Sequence, residues 1–187
     1  MSNVSFVAEK EREQGFTHVL FITTGSVASV KAPLIVQELL NYKKVKVTVV
    51  ATKASLAFYS KSDVETAGVS VWVDDNEWSP GYKIVAPCSA NTLAKIASGI
   101  CDNLATSLLR ALASTTPTYV FPAMNTLMYE HPLTSEHLRI VREVLRYNVV
   151  GPIGKALACG DIGIGAMTEW GDIVQTVVDR FQLQLNE

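Results

Sequence analysis

The chain has 187 residues, 48% hydrophobic and 18% charged, with a formal net charge of −2. That length fits one domain with a full core, and the charge balance supplies no basic stripe to neutralise nucleic-acid phosphates. Three cysteines, Cys88, Cys101 and Cys159, without a CxxC pair argue against a disulfide framework or a zinc site and fit a reducing, cytoplasmic setting.

The opening MSNVSFVAEKEREQG places Glu9, Lys10, Glu11, Arg12 and Glu13 where a secretory signal would carry its apolar core. Residues 1–16 therefore read as a flexible tail and 17–187 as a single domain. THVLFIT (17–23) is a short apolar run ending in a turn at Gly25, and Val27 to Leu40 has helical spacing, with Pro33 tolerated in its first turns. VKVTVVA (45–51) predicts a strand, KASLAFY (53–59) a short helix, and VSVWV (69–73) and IVAP (84–87) two further strands. SANTLAKIASG (89–99) predicts a helix capped by Ser89 and Gly99, and DNLATSLLRALA (102–113) one capped by Asp102 or Asn103. TYVFPA (118–123) predicts a strand, 132–148 contains a helix, and a last helix runs from Asp172 to Leu185. Between them, KALACGDIGIGAMTEWG (155–171) sets Cys159 beside Gly160, Gly163 and Gly165. No helix or strand favours such an interior, so this stretch reads as a loop folding over something.

Strands alternating with helices imply a parallel sheet covered on both faces, a doubly wound, Rossmann-like or flavodoxin-like three-layer αβα sandwich. A mean hydropathy of +0.21 leads us to expect a thoroughly buried sheet or a large subunit interface. No apolar run reaches the ~18 residues that a membrane span needs. One junction breaks the pattern. If VSVWV and IVAP are neighbours, the ten residues DDNEWSPGYK (74–83) are too few for a helix-bearing crossover. Lys83 would also enter the core there unless it snorkels out.

Ligands of open parallel sheets lie beyond the carboxyl ends of the strands. Four loops there, TTGSVAS (23–29), ATKAS (51–55), APCSANT (86–92) and FPAMNT (121–126), are rich in small hydroxyl and amide residues. Neither GxGxxG nor GxxxxGK[ST] occurs, so a dinucleotide or nucleoside-triphosphate site lacks its fingerprint. Hydroxyls and helix N-termini without a basic clamp suit a mononucleotide such as FMN. Any one of these loops taken alone is more readily a capping loop than a ligand site. By the same standard Cys88 and Cys101 read as packing residues, His18, His131 and His137 as surface or cap residues, and Met124 and Met128 as core filling.

ITTGSVASVKAPLIVQEL, APCSANTLAKIASGICDNL, PAMNTLMYEHP and LACGDIGIGAM together resemble the homo-oligomeric flavin-containing cysteine decarboxylases, over residues 17–178. The PAMNxxM and ACGDxGxGAM segments are distinctive as a pair. The resemblance implies a carboxy-lyase: FMN-dependent decarboxylation of phosphopantothenoylcysteine to phosphopantetheine in coenzyme A biosynthesis, by a trimer with sites between subunits. It implies that Gly25, Ser26 and Val27 cradle FMN with Thr52, Lys53 and Ser55 nearby. Ser89, Ala90, Asn91 and Thr92 would hold its phosphate end and ribityl chain, and Ala123 would back the ring. Asn125 would bind the substrate carboxylate, Ala156 and Ala158 would border the substrate, and Cys159 would be the catalytic proton donor on a glycine-rich lid. Two departures stand out. Relatives commonly carry an arginine where Ala156 stands, and a catalytic histidine in a helix between the third and fourth strands, where this chain has only DDNEWSPGYK. The alternative expectation is an FMN-binding regulatory or Cys-donating subunit, inactive alone and partnered by a His-bearing homologue. A plain electron-transfer flavodoxin leaves PAMN and ACGD without a purpose.

Overall fold

The computed structural model describes residues 14–74, 82–112, 115–156 and 162–186. Six parallel strands form one sheet in the order β3-β2-β1-β4-β5-β6. They are β1 (Thr17–Thr23), β2 (Val45–Ala51), β3 (Val71–Trp72), β4 (Tyr82–Cys88), β5 (Thr118–Pro122) and β6 (Asn148–Val149). Alternation along β1 explains the layering. Val19 and Phe21 face one side, Leu20 and Ile22 the other, and all four are buried. On the first side lie α1 (Ala32–Leu40), entered through a 3-10 turn (Val27–Lys31), and α7 (Trp170–Phe181), contributing Ile35, Val36, Leu39, Ile173, Val174 and Val177. On the second lie α3 (Ala90–Ser98), α4 (Leu104–Arg110) and α6 (Pro132–Arg139), with Leu93, Ile96, Leu104, Leu108 and Leu138. Both faces of the sheet are covered, as the alternating pattern predicts.

Caps place these helices. Ser89 accepts from the Thr92 N–H, and Gly99 closes α3 in the left-handed region. Asn103, not Asp102, caps α4 through a reciprocal box with Thr106. Pro33 stands in the first turn of α1, where its missing N–H costs nothing. Other boundaries differ from expectation. The strand expected over 69–73 pairs only at Val71–Trp72, and 53–59 holds a 3-10 turn, Ser55–Ala57, rather than an α-helix. The last helix starts at Trp170 and ends at Phe181, leaving Leu185 to bridge Tyr42. The short helices α2 (Ser62–Glu65) and α5 (Thr126–Glu130) were not foreseen. No helix among the described residues is long and apolar enough to cross a membrane.

Two further corrections matter for function. The strands β3 and β4 are not neighbours: β2 and β1 lie between them. Nine residues, 73–81, join them, still too few for a helix-bearing crossover, and 75–81 lie outside the described residues. Secondly, the described part of the glycine-rich segment is not a loop, and 157–161 lie outside the described residues. The described part forms β8 (Ile162–Ala166), antiparallel to β7 (Ile153–Ala156) in a separate two-stranded sheet. Lys83 does not snorkel out. It is 2% exposed within β4, and burial brings its ammonium down to about 8. His18 sits half-buried in β1 rather than on the surface, and Cys101 is exposed rather than packed.

Candidate active site

The sheet reverses its winding between β1 and β4, which is where an open α/β sheet leaves a crevice. A cleft of about 460 Å³ opens there, bounded by the loops after β1, β2, β4 and β5. Gly25, Ser26, Thr52, Lys53, Ser89, Ala90, Asn91, Thr92 and Ala123 all line it. Ala54, Asp74, Lys95, Asn103, Met124 and Met128 line it too, beyond the residues that the family resemblance implies. Lys95 had a readable signal, being one helical turn beyond Asn91 on the same face of α3. It bonds Asp102 at 2.5 Å, and that hydrogen bond holds the Asp102 carboxyl below its ordinary range. Asp74 receives the Leu104 N–H at 3.0 Å, tying the end of β3 to the start of α4.

Ser89 follows β4 and caps the start of α3. Its own N–H donates to Thr24 Oγ1 at 2.9 Å, and its hydroxyl accepts from Thr92. The first-turn N–H groups of Ala90 and Asn91 therefore stand at the cleft as helix-end donors, where the helix dipole favours an anion. Ala123, Met124 and Met128 form the apolar wall opposite. Met124 is buried, whereas Met128 is half exposed at the rim and fills no core gap.

Beneath the cleft, hydroxyls act as struts. Ser55 donates to the Thr52 carbonyl at 2.8 Å, so Thr23 donates to Ser55 and Tyr59 to Thr23, at 2.9 and 2.8 Å. Burial raises the Tyr59 phenol above its ordinary value, which keeps it a donor. Thr24 bridges the next pair of loops, donating to Pro87 O at 2.8 Å and accepting from Ser89 N. Ser55 is thus a buried strut, not a lining residue, and Val27 points outward, 51% exposed. Cys88 packs in the core, its thiol pushed up to about 12 by burial, and is no nucleophile.

Asn125 lies one step past this wall, exposed, as the N-cap of α5. Its Oδ1 accepts from Met128 N at 2.8 Å, so the two amide donors are directed away from the helix. Strand β8 runs beside it, with Met124 N donating to Gly165 O at 2.9 Å. Ala158 and Cys159 lie outside the described residues, as does the side chain of Ala156. None of the three histidines lines the cleft: His18 is in β1, His131 caps α6 and His137 is on α6.

Comparison with known proteins agrees with this architecture. A protein of Schizosaccharomyces pombe named probable thymidylate synthase is 43% identical over 198 residues, covering 95% of this chain and 32% of that one. The chain spans about a third of such long relatives, the Saccharomyces cerevisiae coenzyme A biosynthesis protein 3 among them. A mouse phosphopantothenoylcysteine decarboxylase is 40% identical, covering 90% of this chain and 87% of that one. A solved PPC decarboxylase with a cysteine-to-serine mutation, complexed with pantothenoylaminoethenethiol, superposes with a TM-score of 0.81 at 38% identity, over 89% of this chain and 99% of that one. The FMN binding protein AtHal3 superposes with a TM-score of 0.78 at 38% identity, over 89% and 97%. The family described as Flavoprotein matches residues 7–182. With a family match along nearly its whole length, the chain belongs to the Flavoprotein family.

Proposed function

We propose that this chain binds FMN in the switch-point cleft and decarboxylates phosphopantothenoylcysteine to phosphopantetheine, as a single cytoplasmic domain over 17–187. The observation that carries it is the juxtaposition of the cleft with Asn125, whose cap leaves an amide free to donate just beyond the apolar wall. The residues fit the cofactor. Ala90 and Asn91 N–H groups and the hydroxyls of Ser26, Thr52 and Thr92 suit a phosphate and a ribityl chain, with Lys53 adding a cation. Ala123 and Met124 offer a flat apolar face to a ring. Bound FMN supplies an electron sink for the substrate thiol, which makes loss of CO₂ feasible.

The chain's own groups do the rest. Asn125 donates to the substrate carboxylate and fixes its direction, and Cys159 returns a proton to the product sulfur intermediate. Ala156 and Ala158 border the substrate. Self-association, as a homotrimer, is part of the proposal. It is supported by Val27, Val30 and Leu34, which form an apolar stripe at 51%, 50% and 39% exposure beside the cleft loop.

One observation favours a second reading, an FMN-binding regulatory or Cys-donating subunit. The cleft has no histidine, and general-base catalysis is typically worth ~10²–10⁴-fold. Titration with FMN, sedimentation and a CO₂-release assay decide. We expect a yellow protein with about one FMN per chain, in an assembly larger than 20.3 kDa. Turnover by the chain alone supports the enzyme. Turnover only after mixing with a His-bearing, Cys-less homologue supports the subunit. A colourless protein that leaves FMN fluorescence unchanged overturns both.

A further inference from the structure

The strand β8 crosses Met124, Asn125 and Thr126, and at both crossing points it offers a glycine. The hairpin register shifts at Gly165, and across that bulge a Cβ built on either Gly163 or Gly165 points at this segment. A Cβ on Gly163 would collide with Thr126 Oγ1, lie 2.8 Å from its Cγ2 and 3.1 Å from its Cβ. A Cβ on Gly165 would collide with the Met124 carbonyl oxygen and lie 3.3 Å from the carbonyl carbon of Asn125. Gly165 also has φ +151°, a conformation that side chains rarely adopt. Asn125 is thus held between two contacts that exist only because both strand residues lack side chains.

Beyond this seat, Thr134 Oγ1 donates to the Met128 carbonyl and Tyr129 packs, partly buried, against the core of the second face. The helix α5 is five residues long, and none of its residues is fully buried. Among the described residues β7 and β8 form a sheet of their own, joined to the segment beneath by the Met124 N–Gly165 O bond, and an isolated hairpin is marginal in water. The buried Thr126 Oγ1 has no hydrogen-bond partner among the described residues, so the side chain acts here by its shape. We propose that Thr126, Gly163 and Gly165 are positioning residues: a size-matched seat that fixes the backbone of Asn125 and so aims its amide. The inference rests on the reading of Asn125 as the group that receives the substrate carboxylate.

The test is a set of variants in the FMN-loaded protein, read by steady-state kinetics and by hydrogen exchange at the Met124 amide, which bonds Gly165 O. Gly163→Ala is expected to raise KM on the order of ten- to a hundredfold, with kcat and FMN stoichiometry changing less, and to speed Met124 exchange. Adding Thr126→Ala removes the two nearest obstacles and leaves a tight Cβ at 3.1 Å, so the double variant recovers a large part of both readouts. Gly165→Ala meets backbone instead, and Thr126→Ala does not rescue it. Thr126→Ala alone opens the seat from the other side and speeds exchange modestly, which keeps the question answerable should Gly163→Ala fail to fold. Wild-type KM and exchange in Gly163→Ala overturn the proposal. So does a folded double variant without recovery, or Thr126→Ala with unchanged exchange. A wild-type protein without turnover refutes the decarboxylase reading separately, because the exchange pattern still decides the seat.

Discussion

The two sides of the site are held by opposite means. The floor under the cleft is made by polar atoms that are present: Thr23, Thr24, Ser29 and Ser55 are all 0% exposed, and each hydroxyl is hydrogen-bonded. The strap over Asn125 is made by atoms that are missing, at Gly163 and Gly165. Removing a group therefore damages the floor, and adding one damages the strap. A buried donor or acceptor left unpaired loses its hydration without replacement. A Cβ placed against backbone has nowhere to move.

The largest effect should come from Thr24→Val. It strands two buried groups at once, the Ser89 N–H and the Pro87 carbonyl, at about 1–3 kcal/mol for each. We expect a loss of about 2–6 kcal/mol in denaturant unfolding, together with weaker FMN binding, because Ser89 caps α3. Wild-type stability in that variant would erase the distinction between floor and strap.

A smaller, pH-confined effect separates the cleft from the sheet as a whole. Lys83 lies near the amino end of β4, far along the strand from Ser89, with a folded-state value near 8 against 10.5 when unfolded. Between those values the unfolded chain binds more protons, so stability should rise as pH climbs from about 8 toward 10.5. Below 8 the penalty of the buried ammonium is fully present. Lys83→Met should flatten that rise while leaving FMN affinity unchanged, and a slope that persists in this variant would assign it to another group. The smallest effect belongs to Tyr59→Phe, which removes one hydroxyl while Thr23 keeps Ser55. We expect about 0.5–1.5 kcal/mol, measured by thermal unfolding, with Cys88 and the strap undisturbed.

The helix α3 was legible because both of its ends are spelled out locally, Ser89 as an N-cap and Gly99 as a C-cap. Burial on both faces was legible because the runs 19–22, 49–51 and 84–86 in β1, β2 and β4 are continuously apolar. The hairpin was not. Gly163 and Gly165 look like loop residues until Met124 and Thr126 are brought beneath them, and that approach is tertiary. Ser26 and Ser55 illustrate the same limit within the site. Both are hydroxyls in strand-end loops, yet one lines the cleft and the other braces Thr52 and Thr23. Only their neighbours distinguish them. Lys83 was flagged as out of place, but its depth depends on β1 and β5 closing over it on either side.

Both margins of the main sheet are cut short, with two residues in β3 and two in β6. A long bare margin exposes a row of unpaired amides and carbonyls, ready to recruit a strand from another molecule. Here the well-paired strands are the inner ones, and each flank ends after a single pair of register positions. A chain that is 48% hydrophobic thereby keeps its most adhesive backbone away from other chains, and resists the cross-strand aggregation that its composition would otherwise invite.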